Sequence, residues 1–270
     1  MGIQIRINTL KDKMEPRHLT AGHGWEWIKQ GYALFMKAPL LWIVLLLICI
    51  VAAIAISSVP VVGEPLASLL MPVVLAGLMA GCRDLLKGEE LELAHLFRGF
   101  QQHTTQLVTL GGISLVSQFL IFGLMMLAGG TALVSILMSG QPDVDPDVMM
   151  QAVSGAGLAI LLGVILFSML IMAMQFAPLL VFFNNVAPLM AMKLSLQAFL
   201  NNITAMLVYG VTFMMLAILA SIPMMLGWLI LLPLVFTSLY ASFSEIFPVE
   251  IKSGGVPQKD DIFSRDDQTF

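Results

Sequence analysis

Apolar positions in this chain gather into six long blocks separated by short polar stretches. A helix that crosses a bilayer needs about 20 mostly apolar residues. The blocks that meet this length are Pro39 to Ser58, about Leu66 to Cys82, one within Leu107 to Met138, one within Met149 to Phe183, about Ile203 to Ser221, and about Pro223 to Ser244. The third and fourth are longer than one crossing needs. Only Ser221-Ile222-Pro223 separates the last two, which predicts a tight hairpin; the alternative is one long helix kinked at Pro223. The charged pair Arg83-Asp84 ends the second block, and Glu245 ends the sixth. No Asp, Glu, Lys, Arg or His falls inside the six blocks. A charge at the bilayer centre costs at least ~2.5–3.5 kcal/mol, so lipid-soluble helices should look like this.

Three polar stretches carry a helical period instead. Trp25, Ile28, Tyr32 and Phe35 recur at steps of 3, 4 and 3, with Glu26, Lys29, Gln30 and Lys37 on other faces. Leu93, Leu96, Phe97 and Phe100 form a second stripe against Glu92, His95, Arg98 and Gln102. Leu189, Met192, Leu196 and Phe199 form a third against Lys193, Gln197 and Asn201. Each stretch is too short or too polar to span, and each precedes two spans. The pattern predicts three amphipathic helices lying in the membrane interface, apolar face down. The expected arrangement is a threefold repeat of interfacial helix plus hairpin, starting near Thr20, Glu92 and Pro188.

The composition agrees. Of 270 residues, 59% are apolar and 11% charged, and the mean hydropathy is +0.93. A soluble domain is about 45–50% apolar and about 25% charged, so a soluble enzyme, a disordered chain and a nucleic-acid binder are excluded. The net charge of -4 gives no basic excess for phosphate partners. Two cysteines make no disulfide framework. With six crossings and a cytoplasmic N-terminus, all 13 Lys and Arg residues fall on the cytoplasmic side; the other side receives Glu64, Asp143, Asp145 and Asp147. Both termini are then expected in the cytoplasm. Residues 1–18 have no apolar core and are not a signal peptide, so the first span is its own insertion signal. Met14 is an alternative start, because the patterned stretch begins after it. The expected division is a cytoplasmic segment 1–19, a membrane domain 20–245 and a disordered tail 246–270.

Reactive chemistry is sparse. His18, His23, His95 and His103 lack metal-site spacing and read as interfacial histidines; neither a metal nor another cofactor is expected. The carboxylates of Asp143, Asp145 and Asp147 read as a solvated loop. The intramembrane serines have no His, Lys or Asp beside them to activate them, Cys49 and Cys82 read as packing residues, and no phosphate-binding glycine loop occurs, so an enzyme is not expected. The candidate intramembrane polar residues are Gln118, Gln175 and Asn184, which suit hydrogen bonds between helices or a route for a neutral solute. Small residues at helical steps, Gly77 with Gly81 and Gly155 with Ala159 and Gly163, mark candidate helix-packing faces.

Two blocks carry a family resemblance. Gly24-Trp25-Glu26-Trp27-Ile28 runs through Phe35, Lys37, Pro39 and Trp42. Much later come Ala177-Pro178-Leu179, Pro188-Leu189-Met190-Ala191-Met192-Lys193-Leu194-Ser195 and Asn201-Asn202. From about Met14 to Phe247 the chain resembles the uncharacterised six-span inner-membrane proteins of proteobacteria. The resemblance implies a Gram-negative inner membrane and six helices, and carries over no site residue. The layout is also similar to the membrane module fused to some glycerophosphodiester phosphodiesterases, whose metal-binding hydrolase part this sequence does not contain.

The combined reading is an all-α, six-span membrane protein with three interfacial helices. The expected role is a non-enzymatic assembly, scaffold or membrane-organising factor. It would touch the lipid bilayer and a protein partner or a second copy, and no nucleic acid. The alternative is a carrier or pore for a small neutral or lipid-like solute.

Overall fold

A computed structural model describes residues 16–139 and 145–247. The proposed start at Met14, the loop acids before Asp145 and the tail from residue 248 lie outside the described residues. Twelve α-helices follow in order: α1 His23–Phe35, α2 Pro39–Ser57, α3 Gly63–Leu86, α4 His95–Arg98, α5 Thr104–Met125, α6 Thr131–Ser139, α7 Pro146–Gly155, α8 Gly157–Gln175, α9 Ala177–Asn184, α10 Pro188–Asn201, α11 Ile203–Ser221 and α12 Trp228–Ile246. Among the described residues, six segments are long and apolar enough to cross a membrane: α2, α3, Thr104–Gly130, Gly157–Asn184, α11 and α12.

The two over-long apolar blocks are broken at definite places. The third span continues α5 through a π-helical turn, Met126–Gly130, where Gly129 takes a φ of 106°. Only glycine adopts that backbone without strain. Past it the chain forms the separate helix α6. The polar link that follows ends in α7, whose first turn is capped by Asp145 accepting from the Asp147 N–H at 2.9 Å. The fourth span breaks at Phe176. There the Ser195 hydroxyl, fully buried on α10, accepts from the Phe176 N–H at 3.0 Å and donates to the Met172 carbonyl at 2.7 Å. These two groups would otherwise close one rung of the helix, so an inserted side chain causes the break. Pro178, which has no N–H to give, follows directly. Ser195→Ala leaves both backbone groups buried and unpaired. The expected cost is about 1–3 kcal/mol, read as a lower thermal unfolding midpoint in detergent.

The last two spans are separate helices, so Pro223 does not kink a single one. The link is longer than the sequence suggested: Ile222–Gly227 turns with positive φ at Met224 and Met225, and the Trp228 indole donates to the Ser221 hydroxyl at 3.1 Å.

The C-terminal ends of the second, fourth and sixth spans meet in one aromatic cluster. Phe183 packs edge-on to Tyr240 at 5.9 Å, Phe176 lies 6.0 Å from Phe247, and the Arg83 guanidinium sits 4.9 Å above the Phe183 ring. The start of the described chain is tied to the same end. The Arg17 N–H donates to the Ile246 carbonyl, and Asn202 accepts from the Leu19 N–H at 2.7 Å while donating to the Arg17 carbonyl at 2.9 Å.

The three amphipathic stretches take different forms. The first and third are helices of 13 and 14 residues, α1 and α10; the second has one helical turn, α4, within an irregular strap from Leu91 to Gly99. Each docks against the end of an even-numbered span. The strap lies on α3 and α10 lies on α8 and α9. The segment α1, which follows no earlier span, docks on α12 at the far end of the chain.

Candidate functional site

The docked strap shows what holds these segments. Val73, Gly77, Gly81 and Asp84 recur at steps of four, four and three, so they share one face of α3. Because the two glycines have no side chain, the strap lies directly on the helix. A Cβ at Gly77 would strike the His95 carbonyl, one at Gly81 would come within 2.6 Å of Leu91, and one at Gly99 would strike the Val73 carbonyl. The strap therefore runs down α3 to Val73, eleven residues or about 16 Å below Asp84.

Asp84 anchors it. Its carboxylate is 2% exposed and accepts from Arg98, while His95 Nε2 lies at 3.1 Å and Arg83 Nε at 3.6 Å. His95 Nδ1 lies 3.0 Å from both the N–H and the carbonyl of Glu92, and a hydrogen on Nε2 is the one that Asp84 can accept. The sequence placed Asp84 in a turn that ends the second span and all four histidines at a solvated interface. Instead α3 continues to Leu86, and His95 is 1% exposed while Phe97, two residues on, is 63% exposed. His95 thus turns inward beside Leu91 and Leu96, while Leu93 and Phe97 turn outward, as suits a segment at the edge of lipid.

A second acid anchors α1. The Trp27 indole N–H donates to Glu245 Oε2 at 2.5 Å, and His23 Nδ1 lies 2.7 Å from Glu245 Oε1. One turn further on, Gly31 packs on Ser238, where an added Cβ would come within 2.6 Å of backbone. The Trp27 ring meets Tyr209 edge-on at 5.9 Å. The buried face of α1 is Trp27, Ile28, Gly31, Leu34 and Phe35. Of the apolar stripe read from the sequence, Ile28 and Phe35 are buried, whereas Trp25 and Tyr32 stay half exposed.

That outward edge of α1 roofs a groove. Below it α11 and α12, in contact near Ala220 and Gly227 and again at Tyr209 and Ser238, line an open groove of about 550 Å³. Its walls are apolar, with Leu216, Leu219, Ile230 and Leu234 among them; Trp25, Lys29 and Tyr32 line its α1 side. Lys29 Nζ lies 2.7 Å from Glu26 Oε1, and both side chains are about half exposed.

The polar residues singled out from sequence stay apart. The Gln118 amide donates to Ser114 on its own helix at 3.2 Å, Gln175 lies 3.9 Å from the Met206 sulfur, and the Asn184 Oδ1 is buried without a hydrogen bond. None of the three lines the groove. The small-residue faces are in contact, each with its own neighbour. Gly77 and Gly81 seat the strap rather than a spanning helix. A Cβ added at Gly130 would touch Ala159, one added at Gly163 would strike the Met125 side chain, and one added at Gly129 would strike the Gly155 carbonyl. The fourth-span stripe thus lies against the π turn of the third. Asp84, His95, Glu245, His23 and Trp27 were missed as a set, although Asp84 shares its face with Gly77 and Gly81 by spacing alone.

No family model matches the chain, and no solved structure matches it. A protein of Burkholderia thailandensis described as a probable inner membrane protein is 32% identical over 210 residues, which is 76% of this chain and 77% of the relative. With that coverage, and with six apolar helices of spanning length, the chain is an inner-membrane protein and belongs to the family of this Burkholderia protein.

Proposed function

We propose that the protein is a non-enzymatic membrane-organising and assembly factor of the inner membrane, with both termini on the cytoplasmic side. One observation carries the reading: the segments docked beside the even spans turn aromatic and aliphatic side chains outward. Trp25 and Tyr32 on α1, Leu93 and Phe97 on the strap, Phe100 just past it and Leu189 on α10 are all exposed, while the polar anchors Asp84, His95 and Ser195 are buried. Such side chains fit the zone between headgroups and acyl chains, where amphipathic rings and basic stems settle. The result is an apolar collar held by internal ion pairs and hydrogen bonds, suited to gripping lipid and a neighbouring membrane protein or second copy.

The test is purification in mild detergent followed by native mass spectrometry. A stoichiometric companion or a homo-oligomer is the expected result; a lone monomer at every protein concentration overturns the assembly reading.

A further inference from the structure

We propose that the groove between α1, α11 and α12 is a binding site for one acyl chain of an anionic phospholipid, whose phosphate sits at Lys29. The proposal deepens the membrane-organising reading and rests on it. The walls come from two spanning helices, so the groove opens toward hydrocarbon and its natural filling is a lipid tail. Its volume, about 550 Å³, lies inside the range of about 300–1,000 Å³ usual for small-ligand sites. The rim supplies the headgroup end. Trp25, Lys29 and Tyr32 follow at steps of four and three on one edge of α1, so two amphipathic rings flank one ammonium. Lys29 gives one of its three donors to Glu26, which leaves two for a phosphate. Among the described residues that line the groove Lys29 is the charged one, and its ammonium, with donors to spare beside Glu26, suits the phosphate of an anionic lipid better than one whose headgroup already carries its own cation.

The roof is also held in place. Glu245 accepts from the Trp27 indole and lies 2.7 Å from His23 Nδ1 at one end of α1, and Gly31 rests on Ser238. The groove therefore exists before a lipid enters, and little ordering cost opposes binding.

The experiment equilibrates the purified full chain with an equimolar mixture of phosphatidylglycerol and phosphatidylcholine of identical acyl chains, then counts retained lipids by native mass spectrometry. Phosphatidylglycerol should be retained in preference. Lys29→Gln should lower the preference about fivefold, the change that corresponds to ~1 kcal/mol for one basic side chain near an anionic lipid. Lys193→Gln, exposed on α10 and absent from the groove lining, should leave it unchanged. Ile230→Trp puts bulk into the groove from a half-exposed position and should abolish retention of both lipids; Leu219→Trp does the same from the opposite wall should the first variant misfold. Equal retention of the two lipids, an unchanged preference in Lys29→Gln, or full retention in a folded groove-filling variant overturns the proposal. These outcomes are read per protein chain, so they are independent of whether the chain forms an oligomer.

Discussion

Replacing Asp84 with alanine is expected to release the Leu91–Gly99 strap from α3 at a cost of about 3–5 kcal/mol, the range for removing one partner of a buried ion pair. The carboxylate is the shared acceptor for Arg98 and His95. Arg98 is a third exposed and can swing toward headgroups, but the His95 side chain is 1% exposed and has nowhere to go. Its Nε2–H would be left unpaired against Gly77 and Gly81, which were kept bare to receive it. The strap would then gain more by leaving than by staying. The measurement is the unfolding midpoint in detergent together with trypsin cleavage after Arg98, which undocking exposes. A triple variant, Asp84→Leu with His95→Leu and Arg98→Met, separates charge from packing. Replacing a whole buried ionic set by apolar groups is often neutral, so it should recover much of the midpoint. An Asp84→Ala protein with the parent midpoint and parent trypsin resistance would show that packing alone holds the strap.

The sequence makes the spans legible and hides the anchors for a single physical reason. Hydropathy measures whether a stretch can pay for burial in lipid, and six stretches pass it, with only the break between the last two left open at Pro223; the structure moves their ends by a few residues. An amphipathic period says that a helix has two faces, and leaves open which face meets protein. For the strap the assignment is mixed, since Leu91 and Leu96 are buried and Glu92 is exposed. Leu93 and Phe97, with Phe100 just past the strap, meet the surroundings, and His95 and Arg98 meet Asp84. Periodicity is the same in both arrangements. The strap also has only one helical turn, because Gly99 must come flat against the Val73 carbonyl. Small-residue spacing was informative about closeness and silent about the partner: Gly77 and Gly81 announce a near approach, and a spanning helix and a strap both satisfy it. Gln118 and Gln175 drew notice as polar groups in apolar runs. Gln118 bonds to the residue one turn back and Gln175 reaches only the Met206 sulfur at 3.9 Å, and the charged residues that join distant parts of the chain are instead at span ends, where charge attracts no notice.

Gly31→Leu should be the most damaging substitution in α1, because this helix joins the start of the chain to its last span. An added side chain at Gly31 would run into the Ser238 backbone at about 2.6 Å, and backbone, unlike a flexible side chain, cannot step aside. Overpacking costs typically 1–3 kcal/mol and occasionally more. Here the consequence extends beyond the contact, since α1 cannot lift at Gly31 and still present Trp27 and His23 to Glu245. Undocking would therefore lose the anchor too, and leave the 0% exposed Trp27 ring without Tyr209. The expected total is about 3–5 kcal/mol, comparable with truncating a buried tryptophan. A chemical readout reports the detachment directly. Ser238 is fully buried under Gly31, so in a background with Cys49 and Cys82 replaced by alanine, Ser238→Cys should resist a membrane-permeant maleimide. Adding Gly31→Leu should make that thiol react, whereas Gly210→Leu on α11, where a Cβ meets nothing within 4 Å, should not. A Ser238→Cys thiol that labels at the same rate with Gly31 and with leucine would mean that α1 is not docked on α12 in the membrane, and the groove it roofs would be lost with it.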